Sequence, residues 1–188
     1  MTASTPLRTV AVLGLGRMGR PIAVNLVGAG FAVRTWSRSG GAVDGAVACA
    51  SIAEAVDGAN VALTMLSDDA AVEAVMFGAA RLLSGLGRGA LHLGMSTISV
   101  ALAGRLAEAH RAAGQGFVAA PVFGRPEAAA ARQLWIVPGG DAADVERLAP
   151  LFAALGQGTF PMPGARGAAL AKRCGNFLIA ANIEVVAE

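Results

Sequence analysis

Near the amino end, an apolar run is cut by three glycines at fixed intervals: "RTVAVLGLGRMGRPIAVNLVGAG", Arg8 to Gly30. Few folds accept that order. A continuous β-branched apolar run reads as a strand buried on both faces, the kind found in parallel sheets. The stretch after it is apolar at Met18, Ile22, Leu26 and Val27, which predicts a helix, and Gly28 and Gly30 close it. Gly14-Leu15-Gly16-Arg17-Met18-Gly19 joins the two. A GxGxxG match is weak by itself in a chain with 25 glycines, but it gains weight directly after a buried strand and at the opening of a helix. There Gly14 permits the tight turn, Gly16 lets backbone approach a pyrophosphate, and Gly19 lets helix and strand pack closely. The free N–H groups of the helix start then face the phosphates. A glycine-rich turn that holds no ligand is the alternative.

After a short polar lead (Met1 to Pro6), the rest of the chain repeats the strand–helix rhythm. "FAVRTW", "NVALTML", "GALHLG" and "GFVAAPV" read as strands, separated by helices over 51–56, 69–77 and 99–113. Such alternation argues for a parallel sheet with right-handed crossovers. The rhythm then changes: a strand in "QLWIVPGGD", a helix over 141–155, a short strand "GTFPM", and one long helical stretch from Gly164 to Glu188. The expected fold class is α/β, a Rossmann-type doubly wound, mainly parallel sheet over residues 1–163, with the long helix over 164–188.

Composition narrows the function classes. The chain has 188 residues, 55% hydrophobic and 15% charged, with a net charge of +2. That favours a well-buried core over disorder. The arginines are scattered singly, so no basic stripe suggests nucleic acid. Cys49 and Cys174 lie far apart, with no CxxC and no nearby histidine pair, so neither a disulfide framework nor a metal site is expected. No run approaches the roughly eighteen apolar residues of a membrane span. The run Val10 to Gly16 is too short for a signal peptide. A cytoplasmic protein acting on a small molecule, away from membranes, is the expectation.

An NAD-selective site would place Asp or Glu about twenty residues beyond the glycines. Here that place reads Thr35-Trp36-Ser37-Arg38-Ser39, and the first acid is Asp44. Arg38 would attract a 2′-phosphate bidentately, and Ser37 or Ser39 would add a hydroxyl. The sequence therefore predicts NADP(H) in preference to NAD(H), with a solvated loop arginine as the alternative. Trp36 either flanks the adenine or closes its strand as a core aromatic. Met65, Leu66 and Ser67 are placed at the cofactor floor.

Lys172 is the only lysine, against fourteen arginines. Arginine cannot release its proton in a protein, whereas a buried lysine can shift its pKa and act in acid–base chemistry. Asn176 stands one turn further along the same helix face. Gly175 sits inside the helix at a cost of roughly 1 kcal/mol relative to alanine, and Ala168 and Ala169 flank the lysine. A face of small residues around one lysine and one asparagine would leave room for a ligand. A solvated surface lysine is the alternative.

"VLGLGRMGRPIAVNLVGAGFAVRTWSRS", "TMLSDDAAVEAVM", "MSTIS", "APVFGRP" and "GARGAALAKRCGN" follow in order along nearly the whole chain. Together they resemble the β-hydroxyacid dehydrogenase family, which includes 3-hydroxyisobutyrate dehydrogenases and semialdehyde reductases and shares the NADP-binding domain of 6-phosphogluconate dehydrogenase. The resemblance implies that Lys172 is the general acid/base, with Asn176 beside the reacting oxygen. It implies hydride transfer between nicotinamide and a small hydroxyacid or semialdehyde. It places Thr97 against the cofactor and Ser96 against the substrate; an N-cap for the helix starting near Ser99 is the other reading of both. One motif departs from the pattern. Where the family shows a stretch like Asp-Ala-Pro-Val-Ser-Gly-Gly, this chain has Ala119-Ala120-Pro121-Val122-Phe123-Gly124-Arg125. Phe123, Gly124 and Arg125 thus become the expected substrate contacts, with a hydroxyl lost and a cation gained. An imine reductase-like enzyme and a non-catalytic NADP-binding module remain the alternatives.

By the same resemblance, the long helix would lead into an all-helical domain that this chain does not contain. Phe177, Leu178, Ile179, Ile183 and Val185 would then lack their usual cover. Either a truncated piece or a homodimer is expected. His92 is expected to be a satisfied core histidine and His110 a helix-surface one.

Overall fold

The structure, a computed structural model, describes residues 7–78 and 82–187. The polar lead (Met1 to Pro6) and Glu188 lie outside the described residues. The first half follows the expected alternation: β1 (Thr9–Leu13), α1 (Gly19–Gly28), β2 (Ala32–Trp36), β3 (Val47–Ala48), α2 (Ile52–Val56), β4 (Val61–Thr64), α3 (Asp69–Phe77), α4 (Leu82–Gly85), β5 (Leu91–Gly94), α5 (Val100–Ala112) and β6 (Gly116–Ala119). Then come β7 (Val122–Phe123), α6 (Pro126–Ala130), β8 (Leu134–Ile136), β9 (Gly139–Gly140), α7 (Ala142–Arg147), α8 (Ala149–Leu155), β10 (Gly156–Thr159), β11 (Met162–Pro163) and α9 (Gly164–Ala187).

The main sheet runs β11-β9-β6-β5-β4-β1-β2-β3, and β10-β8-β7 form a second, smaller one. Within the main sheet every pairing is parallel except β6 with β9. The chain builds outward from β1 in one direction through β2 and β3, and in the other through β4, β5 and β6. That reversal between β1 and β4 is a doubly wound switch point, where ligands of open α/β sheets bind. Alternation along the central strands feeds two cores. Val10, Val12, Val61 and Leu63 face the layer with Ile22 and Leu26 of α1 and Leu151 of α8. Ala11, Leu13 and Ala62 face the layer with Val72 of α3 and Leu102 and Leu106 of α5.

Three runs expected as single strands each divide, and each divides at a proline. "GFVAAPV" crosses from β6 in the main sheet to β7 in the small one at Pro121. "QLWIVPGGD" returns from β8 to β9 at Pro138, and "GTFPM" from β10 to β11 at Pro161. Proline offers no N–H to extend a ladder, so the chain leaves one sheet there and joins the other. The helix expected over 141–155 likewise breaks at Leu148, which ends α7 and caps α8, with Pro150 in the first turn of α8. The short elements β3, α4 and α6 were not expected.

Behind the switch point lies a buried polar chain. Thr64, His92 and His110 are almost wholly buried. Thr64 Oγ1 lies 2.9 Å from His92 Nε2, His92 Nδ1 lies 2.8 Å from His110 Nε2, and His110 Nδ1 lies 2.7 Å from Gln115 Oε1. The Gln115 amide nitrogen donates to the carbonyls of Leu83 and Leu86, so its oxygen accepts from His110 Nδ1–H. Burial keeps both imidazoles neutral, and the other directions follow: His92 Nδ1–H donates to His110, and the Thr64 hydroxyl donates to His92. His92 is a satisfied core histidine, as expected. His110 is not on the surface: it continues the buried stripe Leu102, Leu106 at four-residue spacing. Burial holds the pKa of His110 at about 4; burial, then the neighbouring His110, pushes that of His92 well below the ordinary value.

Candidate active site

The glycine loop forms one lip of a cleft at the switch point. Gly14 takes φ 105°, a left-handed value open to glycine, and its N–H donates to the Trp36 carbonyl at 2.8 Å. A side chain at Gly14 would overlap the Met65 carbonyl oxygen, and one at Gly19 would overlap the carbonyl of Gly14 itself. At Gly16 a Cβ would meet nothing, so its backbone faces open space. Helix α1 begins there with no side-chain cap and no acid in its first turn, which leaves its N-terminal N–H groups and dipole available to an anion.

The cleft has a volume of about 360 Å³. Of the residues assigned to the cofactor from the sequence, Gly14, Leu15, Gly16, Ser37, Arg38, Ser39, Met65, Leu66 and Ser67 all line it. Arg17, Met18, Gly19 and Thr97 do not. Met18 packs against the core, Gly19 is the packing glycine, and Arg17 and Thr97 are exposed. Trp36 lines the cleft and packs against the core. Arg38 makes no ion pair among the described residues, and the hydroxyls of Ser37 and Ser39 meet at 3.1 Å beside it. The acid whose field it touches is Asp68. The Ala71 N–H, then the Ser67 hydroxyl, and more weakly Arg38 hold that carboxyl below its ordinary range. These features fit a dinucleotide: an anion seat at the helix start, an unpaired guanidinium with two hydroxyls, and an apolar wall from Ile52, Ala71, Ala74 and Val75.

Ser96 is buried, and its hydroxyl accepts from the Leu66 N–H at 2.8 Å. It thereby holds the loop that floors the cleft. Neither Ser96 nor Thr97 caps the next helix; Ser99 does so, accepting from the Leu102 N–H. The Ser99 N–H donates to Asp69 Oδ1 at 2.9 Å, so the loops after β4 and β5 are tied together twice.

Lys172 stands half-buried on α9, and desolvation lowers its pKa. Its Nζ lies 4.0 Å from the centroid of the Phe123 ring. The space at Gly175 is not open to a ligand, as the run of small residues had suggested. A Cβ there would overlap the tip of the Phe123 ring, which occupies it. Ala168 is small for a different reason: α9 crosses β9 so closely that a Cβ at Gly139 would strike Gly164 and Ala168. Asn176 is exposed and makes no hydrogen bond among the described residues. Gly124 takes φ 138°, and Arg125 is exposed before α6.

Residues 9–164 match the family described as the NAD binding domain of 6-phosphogluconate dehydrogenase. The chain belongs to that family. An uncharacterized oxidoreductase of Bacillus subtilis is 40% identical over 185 residues, covering 95% of this chain and 65% of that protein. An NAD-dependent L-serine dehydrogenase of Pseudomonas aeruginosa is 36% identical over 179 residues, 93% of this chain and 60% of that one. Among solved structures, Mycobacterium tuberculosis 3-hydroxyisobutyrate dehydrogenase with L-serine superposes with a TM-score of 0.86 at 32% identity, covering 93% of this chain and 60% of that one. The chain thus spans under two thirds of the length of these relatives.

In this member of the family, sequence reasoning missed two groups. Ile52, Ala71, Ala74 and Val75 wall the cleft; their signal was the apolar face of two short helices on either side of the switch point. The contact of Phe123 with Lys172 and Gly175 had a signal too. A glycine inside a helix needs a close neighbour, and a bulky replacement in the facing motif supplied one.

Proposed function

We propose that this chain is the cofactor-binding and proton-transfer part of an NADPH-dependent oxidoreductase acting on a small hydroxyacid or semialdehyde-type substrate. The observation that carries the reading is Lys172, the chain's one lysine, half-buried with its pKa lowered in a family whose matched domain binds NAD. In the cleft, Gly16 and the start of α1 seat the pyrophosphate, Arg38 with Ser37 and Ser39 takes the 2′-phosphate, and Met65 and Leu66 floor the nicotinamide. Bound there, the nicotinamide supplies or accepts hydride. Lys172 gives a proton to the carbonyl oxygen in reduction and takes one from the hydroxyl in oxidation. Asn176 orients the reacting oxygen. Gly124 and Arg125 receive a substrate carboxylate. Residues 1–163 form the cofactor domain and 164–188 open the helix that follows it. Phe177, Leu178, Ile179 and Ile183 are more than half exposed on α9, which supports a second copy as their cover.

Calorimetric titration with NADPH and with NADH tests the cofactor, which matters because the serine dehydrogenase relative is NAD-dependent by name. NADPH should bind more tightly by at least about tenfold, roughly 1.4 kcal/mol, and Arg38→Ala should erase the difference. Equal affinities would refute the 2′-phosphate assignment. Lys172→Ala should keep NADPH binding and abolish its oxidation by a panel of semialdehydes and 2-oxoacids. Turnover that survives without the lysine, on cyclic imines above all, would refute its role.

A further inference from the structure

We infer that Phe123 is a positioning residue for Lys172: the face of its ring seats the ammonium, and Gly175 is the notch that receives the tip of the ring. The geometry is two-sided. Lys172 Nζ lies 4.0 Å from the ring centroid, well inside the range where the negative face of an aromatic attracts a cation. One turn along the same helix, any side chain at Gly175 would overlap the Cζ and Cε1 edge of that ring. A helix-interior glycine costs stability, so a residue packed into its missing side chain gives it a reason to be there. The ring is held in turn by its strand. Phe123 pairs with Trp135 across β7 and β8, and the backbone turns away at once through Gly124.

Nothing else in the described structure holds the lysine. It makes no ion pair or hydrogen bond among the described residues, and desolvation is the sole cause acting on its pKa, with no charged partner from any packed element. Arg173, next to Lys172 in sequence, and Arg125, two residues after Phe123, are both exposed. A four-carbon side chain without a polar partner would otherwise sample several rotamers. The ring removes that freedom. It also works against desolvation by favouring the charged form. The relevance of this pair to catalysis rests on the function proposed for Lys172; the pair itself does not.

The single lysine makes the test clean. The full chain, grown with 13C-labelled lysine, has one Cε resonance, whose titration reports Lys172 directly. The wild-type Hε signals should be shifted upfield by the ring. Phe123→Leu keeps the apolar bulk but loses the aromatic face, so the lysine pKa should fall by about half to one unit, and Phe123→Tyr should restore it. Gly175→Ala should displace the ring tip and abolish the upfield shift with Phe123 itself intact. An unshifted wild-type Hε signal, or an unchanged pKa in Phe123→Leu, overturns the inference. The NADPH oxidation assay separates it from the functional reading. Lys172-dependent turnover with an unmoved pKa in Phe123→Leu refutes the positioning role alone. A moved pKa without any carbonyl turnover supports the pair and counts against the proposed reaction.

Discussion

The two histidines should make this fold acid-labile below about pH 6.5. His92 and His110 are the only histidines in the chain, and both are neutral links in the buried chain from Thr64 to Gln115. A proton on His110 would have to enter at Nε2, which already accepts from His92, and would break that link. The folded His110 titrates at about 4 against an ordinary 6.5. Folding therefore releases the proton, and the sign follows: stability is complete above about pH 6.5 and drains away as pH falls toward 4. At about 1.4 kcal/mol per unit, the full loss from His110 is roughly 3 kcal/mol, and at pH 5 about 2 kcal/mol of it is already gone. His92 is displaced in the same direction and adds to the loss. Asp68 is shifted downward, away from this interval. Urea unfolding at pH 8, 6.5 and 5 measures the effect. The double variant His92→Phe, His110→Leu should be weaker at pH 8, because Gln115 and Thr64 lose partners, yet its stability should be flat down to pH 5. A wild type equally stable at pH 8 and 5, or a variant that keeps the wild-type slope, would refute the argument.

The two glycines of the loop should separate folding from binding. Gly14→Ala meets both an unfavourable φ and the Met65 carbonyl, so it should cost at least about 2 kcal/mol in a denaturant melt. Gly16→Ala has open space and should leave stability within about 0.5 kcal/mol while weakening NADPH binding at least about tenfold. Ser96→Ala strands the Leu66 N–H; it should cost about 1–3 kcal/mol and raise the NADPH Kd, read by melt and titration together. Asp68→Ala removes the cap of α3 and should destabilise by about 1 kcal/mol with little effect on affinity.

The glycine loop, the order of strands around it and most of the cleft were legible because each leaves a local trace. Glycines at fixed spacing, an apolar run and an arginine standing where an acid is expected can all be read without knowing what lies opposite. The second sheet left no such trace. An apolar run looks the same whether it pairs in one sheet or two, and only Pro121, Pro138 and Pro161, each set inside such a run, hinted at a crossing. His110 was misplaced through a missed period, since Leu102 and Leu106 already marked its face as buried. Gly175 was read for the space it opens, while the ring that fills that space comes from a strand about fifty residues earlier, a pairing fixed by tertiary packing alone.

Every residue lining the cleft lies between Gly14 and Val75, whereas Phe123, Arg125 and Lys172 come from the later part of the chain. On the function proposed above, cofactor binding and proton transfer are thus written in two consecutive passages. A chimaera joined in the segment between α3 and β5 would exchange one passage and keep the other. Swapping the first should change which dinucleotide the hybrid prefers, and swapping the second should change what it reduces.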